Sequence, residues 1–312
     1  MSFPEVSVVM SVYNGANVLT GTLQSILDQQ DCDLEFIVIN DGSSDETGPL
    51  LDTWANRDAR LRVIHQANTG LTRALIRGCA EARGEFIARQ DCGDISLPGR
   101  LASQAALLQT SPGVAMVACG VRFSGPCGEN LYEVVHPENN LHEGLSALEV
   151  NRIQGPPHHG GTMFRRGAYL AAGEYRAPFV VAQDIDLWLR LAELGRCWGQ
   201  AEVFYQASME PGSISNRWRK KQFELASLAI ACAVERRSDR SDEPLLNAFM
   251  LAPKPIDSQP RPTLPSVERA RFFYFVGCCL RSSNRSAAQQ YFRQAASEQP
   301  LFLRAWVRRF LG

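Results

Sequence analysis

The stretch Gly84-Glu85-Phe86-Ile87-Ala88-Arg89-Gln90-Asp91-Cys92-Gly93-Asp94-Ile95-Ser96-Leu97-Pro98 reads as a short apolar strand that ends abruptly in two carboxylates. In open α/β sheets ligands bind outside the carboxyl ends of the strands, and two acids three positions apart on such a loop can hold a divalent cation. A solvated turn ahead of a helix begun at Pro98 accounts for the same residues. The flanking sequence decides between the two readings.

Upstream, Glu5 to Tyr13 (EVSVVMSVY) is β-branched and apolar, as expected of a strand buried on both faces, and it ends in the turn Asn14-Gly15. Leu19, Leu23, Ile26 and Leu27 fall at helical spacing, and Leu34 to Asn40 is again a strand. The pattern repeats with Leu50, Leu51 and Trp54 on a helix, a strand at Leu61 to His65, and a helix striped by Leu71, Leu75, Ile76 and Cys79. Strands alternating with helices predict an α/β fold with a mostly parallel sheet covered on both faces. The opening stretch is its fourth strand.

Downstream, a helix carrying Leu101, Ala105 and Leu108 precedes the apolar run Val114 to Phe123, and Ser124 to Asn140 reads as a connection. Gly155 to Gly161 forms a rigid loop containing the adjacent pair His158 and His159. Neighbouring side chains on an extended chain point apart, so at most one of the two faces a site. Gln183-Asp184-Ile185-Asp186 opens a helix with a Leu187, Leu191 and Leu194 core stripe; its acids are either dipole-favoured helix-start residues or functional. Residues 217–236 read as helix, 238–266 as a Pro, Ser and Asp-rich linker, and 267–311 as two or three further helices. The expected organisation is a catalytic domain over 1–215 and a helical region over 216–312.

Composition narrows the class. Of 312 residues 45% are hydrophobic and 21% charged, the balance of an ordinary soluble globular protein. Nine cysteines without a C-x-x-C pair argue for reduced thiols and a cytoplasmic location, and against a zinc site. Residues 1–212 carry 15 Arg and no Lys against 25 acids, whereas 213–312 carry 17 basic residues against 8 acids. Such a basic tail either leans on an anionic surface or docks on the acidic body of its own chain. The last helix, Leu301 to Leu311, combines Trp306 and Phe310 with Arg304, Arg308 and Arg309, a pattern that fits peripheral contact with a membrane and core packing equally. No nucleic-acid partner is expected. The missing G-x-G-x-x-G argues against a nicotinamide dehydrogenase, and Tyr13-Asn14-Gly15-Ala16 is a poor phosphate-gripping loop for a nucleotidyltransferase.

Six motifs, in order and spacing, resemble the inverting glycosyltransferase family 2 with its GT-A fold: Val6 to Gly15, Asn40 to Thr47 (NDGSSDET), Asn68 to Leu75 (NTGLTRAL), Ala88 to Leu101, Gly161 to Arg166 and Gln183 to Arg190 (QDIDLWLR). The resemblance implies a nucleotide-sugar donor, most simply a UDP-sugar, and a glycan or lipid-linked acceptor. It assigns the nucleotide to Tyr13, Asn14, Asp41, Arg73 and Asp91. It also assigns Mn²⁺ or Mg²⁺ to Asp91 and Asp94, and the role of catalytic base to Asp184. An Asx turn is the alternative for Asp41. His159 and Trp188 are expected on the acceptor side. Three positions depart from the family pattern: Gly93 replaces an acid of the Asp-x-Asp motif, Gln183 replaces the Glu before the base, and Gln206 follows Tyr205 where Arg is usual. Gly93 puts metal dependence in question, and an acid restored there is expected to tighten the metal site. With Gln183 it also supports the alternative of a nucleotide-sugar-binding subunit that has lost catalysis.

Overall fold

A computed structural model describes residues 3–136, 140–148, 152–211, 219–252 and 266–311. Contacts divide the chain into two compact units, one of Met1–Val121, Val134–Ala207 and Gln222–Pro253 and a second of Arg122–Glu133, Ser208–Lys221 and Lys254–Gly312.

The first unit opens with β1 (Val6–Val12), α1 (Ala16–Leu27), β2 (Leu34–Asp41), α2 (Thr47–Ala55), β3 (Leu61–Gln66), α3 (Leu71–Ala80) and β4 (Phe86–Arg89). The β-branched runs of β1 and β2 are buried on both faces, which is why they lack alternation. Gly78 lets α3 lie directly on β1, since a Cβ there would come within 2.6 Å of Val9. β1 pairs in parallel with both β2 and β4, and β2 with β3. The chain leaves β1 toward β2 and returns on its other side as β4, so the order reverses between β1 and β4. A crevice outside the carboxyl ends of the strands forms at such a point.

Beyond β4 come β5 (Ile95–Ser96), α4 (Arg100–Thr110), β6 (Val114–Ser124), β7 (Asn130–Val134), α5 (Asn140–Ser146), a 3₁₀ turn (His159–Gly161), β8 (Thr162–Arg165), α6 (Arg166–Ala171), α7 (Gln183–Leu194) and β9 (Arg196–Ser208). Among the described residues the sheet runs β3-β2-β1-β4-β8-β6-β9-β5, with β7 attached to β6. β8 is antiparallel to β4 and β6, and β5 is antiparallel to β9. The parallel half matches the alternation in the sequence, and the antiparallel half arises from strands whose partners lie far away in the chain.

Two further helices, α8 (Arg219–Arg236) and α9 (Glu243–Leu251), follow. α9 occupies part of the stretch expected to be a linker, and 253–265 lie outside the described residues. Asp242 explains its ordering. It accepts ion pairs from Arg176 at 2.7 Å and Arg236 at 2.5 Å, and Arg176 also pairs with the buried Asp186 of α7. The expected boundary at 215 likewise lies outside the described residues.

In the second unit, the end of β6 and β7 make a hairpin in which Phe123 stacks on Tyr132 at 4.8 Å. Leu131 packs with Phe272, Val276 and Leu280 of α10 (Ser266–Leu280) and with Ala288, Tyr291 and Phe292 of α11 (Arg285–Glu298). α12 (Leu303–Leu311) follows, with Ala305 packed on Ala295 and Ala296 of α11. No helix among the described residues is long and apolar enough to cross a membrane.

Candidate active site

The loops that follow β1, β2 and β4 all emerge at the crevice. Asn14, with φ 52°, accepts the Ser44 N–H at 2.8 Å, and its own N–H donates to Ser43 Oγ at 2.9 Å, so the first two loops are tied together. Tyr13 beside it is exposed. Asn40, not Asp41, bonds within this turn, its side chain accepting the Ser43 N–H at 3.1 Å. Asp41 is instead buried and holds the third loop. Its Oδ1 accepts from Thr69 N–H at 2.9 Å, Thr69 Oγ1 at 3.2 Å and Gln66 Nε2 at 2.7 Å, and its Oδ2 accepts from Gly70 N–H at 2.8 Å. Oδ2 therefore keeps acceptor capacity. Arg73 lies exposed in the first turn of α3.

After β4 the chain makes a tight turn over Asp91 to Asp94. Gly93 sits at φ 97°, a conformation that side chains other than glycine rarely adopt, so the missing acid coincides with a backbone requirement. Thr22 of α1 pins the turn, accepting the Gly93 N–H and donating to the Asp94 carbonyl, both at 2.9 Å. From beneath, Gln90 Nε2 donates to the carbonyls of Asp91 at 3.1 Å and Asp94 at 3.0 Å.

The tyrosine of β9 links the two carboxylates. Pairing of Ser96 with Tyr205 across β5 and β9 delivers the hydroxyl, which donates to Asp94 Oδ2 at 2.9 Å and accepts the Asp91 N–H at 3.2 Å. Burial, reinforced by Asp94 and Asp91, holds that phenol well above its ordinary pKa, so it stays a donor. Its ring lies 5.0 Å from the buried Arg100 guanidinium and stacks on His158 at 5.5 Å. Gly160 allows this approach, since a Cβ there would fall 1.9 Å from the hydroxyl.

Arg89, fully buried, donates to Asp91 Oδ1 at 2.7 Å. Burial raises the Asp91 pKa, but the Arg89 guanidinium, with Arg100 behind it, outweighs burial and holds the group below the usual carboxylate range. His158 Nδ1 lies 3.8 Å from Asp91 and 3.7 Å from Asp94, and it accepts the Gly160 N–H at 3.1 Å, which marks it as the unprotonated nitrogen. One donor atom each from Asp91, Asp94 and His158 lie within 4.8 Å of one another. Two hard carboxylates and one imidazole form a set that a divalent cation, Mn²⁺ more readily than Mg²⁺, can use.

Asp184 stands half-buried in the first turn of α7 and accepts the Ile185 N–H at 2.9 Å. Burial raises its pKa and the negative charge of Asp91 adds to the rise, while the Ile185 N–H opposes it. Gln183 beside it is buried. The crevice thus contains two carboxylates held by buried cations and donors and a third that is easier to protonate, the division of labour expected of ligand and base.

Of the adjacent histidines, at most one of which is expected to face a site, it is His158 that meets the carboxylates, and Tyr205, marked in the sequence only by the Gln206 that follows it, braces them. His159, expected on the acceptor side, is instead buried, accepting from Tyr175 Oη at 2.7 Å and from Arg89 Nε at 3.3 Å. Burial keeps it neutral, its pKa well below the ordinary value. Trp188, also expected there, is buried edge-on to His159 at 6.1 Å. The only sequence signal for the supporting shell was polar: Arg89 and Gln90 break an otherwise apolar strand immediately before Asp91.

Comparison with known proteins bears on this arrangement. The chain is 30% identical over 264 residues to EpsE of Bacillus subtilis, named as a glycosyltransferase, covering 80% of this chain and 91% of that protein. It is 29% identical to the amylovoran biosynthesis glycosyltransferase AmsE of Erwinia amylovora over 61% of this chain and 70% of the relative. The O-antigen biosynthesis glycosyltransferase WbnJ of Escherichia coli is also 29% identical, over 60% and 71%. Among solved structures, S. aureus TarS 1-349 superposes with a TM-score of 0.55 at 16% identity, covering 98% of this chain and 88% of that one, a likeness of fold. The family model for Glycosyl transferase family 2 matches residues 7–171, which take in the switch-point crevice and the Asp91–Asp94 turn, and the chain is a glycosyltransferase belonging to that family.

Proposed function

We propose that the protein is an inverting glycosyltransferase that moves a sugar from a nucleotide-diphosphate donor, a UDP-sugar, to a glycan or lipid-linked acceptor. The observation that carries this reading is Asp184, a carboxylate whose pKa is raised by burial and by Asp91, in the crevice of Asp91, Asp94 and His158. In this reading the acceptor hydroxyl gives its proton to Asp184 as its oxygen bonds to the anomeric carbon. The bond from that carbon to the diphosphate oxygen breaks on the opposite face, and its electron pair leaves with the phosphate. One displacement inverts the anomeric centre. Gln183, an amide where a charge would oppose ionisation, favours the basic form of Asp184.

Asp91, Asp94 and His158 would hold Mn²⁺ or Mg²⁺, which supplies positive charge to the departing diphosphate. The nucleotide lies over Tyr13 and Asn14, with the remaining acceptor capacity of Asp41 Oδ2 turned to the base and Arg73 near phosphate or base. Structures of TarS in complex with UDP and with UDP-GlcNAc support the choice of donor through likeness of fold. The amylovoran and O-antigen relatives support a glycan acceptor. We place the protein in the cytoplasm, with peripheral membrane contact through its basic C-terminal helices.

Calorimetric titration of UDP with and without Mn²⁺ tests the donor site, and Asp184→Asn tests the base. Metal-enhanced UDP binding is expected, together with loss of transfer in the variant and donor affinity within a few-fold of the parent. Collapse of UDP binding in Asp184→Asn would overturn the assignment. UDP binding with no donor turnover in the parent protein would favour the non-catalytic subunit suggested by Gly93 and Gln183.

A further inference from the structure

The second unit carries 15 Lys and Arg against 6 Asp and Glu, a net +9, whereas the first carries 17 against 27. Its last helix shows what that charge accompanies. The inward side of α12 is satisfied: Ala305 packs on Ala295 and Ala296, Phe302 and Trp306 pack on the same cluster, and Trp306 Nε1 donates to the Pro300 carbonyl at 2.8 Å. Core packing therefore accounts for Phe302, Ala305 and Trp306. It leaves Leu301, Leu303 and Val307, which are 83%, 74% and 54% exposed. Leu303 and Val307 are one turn apart and so share a face, and Arg304 and Arg308 follow each of them by one position. Arg271, Arg281, Arg285 and Arg293 on α10, on α11 and in the turn between them are exposed as well.

An exposed apolar row bordered by arginines is unfavourable in water and matched to one environment, the boundary between anionic headgroups and acyl chains. We infer that Leu301, Leu303, Arg304, Val307 and Arg308 form a docking face for an anionic phospholipid bilayer. The leucines and valine enter the acyl boundary and the guanidiniums bind lipid phosphate. This inference gives residues and a lipid class to the membrane contact of the proposed function, and it rests on that part of the reading alone.

The test is co-sedimentation of the full chain with vesicles of phosphatidylcholine alone and with a third of phosphatidylglycerol. Capture by the anionic vesicles only is expected, weakening as salt rises. At about 1 kcal/mol per basic residue near such a surface, Arg304→Ala with Arg308→Ala lowers partitioning about thirty-fold. Leu303→Ser with Val307→Ser abolishes capture while leaving UDP affinity and the thermal midpoint unchanged. Absence of capture by anionic vesicles, or capture indifferent to both pairs of substitutions, would overturn the proposal. So would light scattering in which the Leu303 and Val307 substitutions turn a dimer into a monomer without altering lipid binding, because the face would then be a contact between copies. UDP titration on the same samples distinguishes failure here from failure of the glycosyltransferase reading.

Discussion

Replacement of Tyr205 by phenylalanine removes one oxygen atom and tests how the Asp91–Asp94 turn is held. The hydroxyl donates to the buried Asp94 carboxylate at 2.9 Å and accepts the Asp91 N–H at 3.2 Å. A hydrogen bond to a charged group contributes about 1.5–3 kcal/mol, and an amide left without a partner costs about 1 kcal/mol or more. Tyr205→Phe should therefore destabilise the fold by about 3 kcal/mol, measured by urea denaturation. It should also weaken Mn²⁺-dependent UDP binding, since Asp94 loses the group that orients it. Gly160→Ala reaches the same bond from the other side. Its Cβ would lie 1.9 Å from the hydroxyl oxygen and 2.4 Å from the ring carbon bearing it. The ring is held between His158 and Arg100, so the hydroxyl must be displaced, and overpacking adds about 1–3 kcal/mol to the lost bond. The bond can be lost only once, so the double variant should be about 3 kcal/mol more stable than the sum of the two costs predicts. A cost below about 0.5 kcal/mol for Tyr205→Phe, or simple additivity with Gly160→Ala, would refute the idea that this hydroxyl braces the turn.

Two further outcomes follow from the first unit. Glu35 is buried and accepts from Ser7, Arg83 and Arg62; burial alone would raise its pKa, but those donors outweigh it and the net shift is downward. A lowered folded-state value means stability that is present above the unfolded carboxylate pKa and lost as pH falls through the folded one. Glu35→Gln should cost about 2 kcal/mol at neutral pH, less than the roughly 3–5 kcal/mol of a fully buried pair because Arg83 is half exposed, and the gap from the parent should close under acid in pH-dependent melts. Gly93→Asp, the change that would restore the family's acid, places a side chain at φ 97° and should cost about 1–3 kcal/mol. Gly93→Ala should cost the same. An unchanged melting midpoint in both would show that the turn does not demand glycine.

Much of the site was legible because the parallel half of the sheet is written locally. β1, β2 and β4 are largely apolar runs, and the polar residue that follows or ends each, Asn14, Asp41 or Asp91, lands at the crevice by the geometry of the fold itself. The histidine pair shows where that logic stops. Adjacent positions 158 and 159 have the same composition signal, and only the 3₁₀ turn that begins at His159 sends one ring to the carboxylates and the other into the core. The supposed linker shows the same limit. Its polar composition hid Asp242, whose partners Arg176 and Arg236 belong to distant segments.

The sequence by itself determined the α/β class, the acids at the strand ends and the family, because periodicity, burial and motif spacing are properties of neighbouring residues. Only the tertiary structure decided that Tyr205, 111 positions from Asp94, closes the site, and that Arg89 neutralises Asp91 from beneath. It also decided which side of α12 stays uncovered. Those facts depend on antiparallel pairings and helix packing between residues far apart in the chain, and no local pattern carries the register of such a contact.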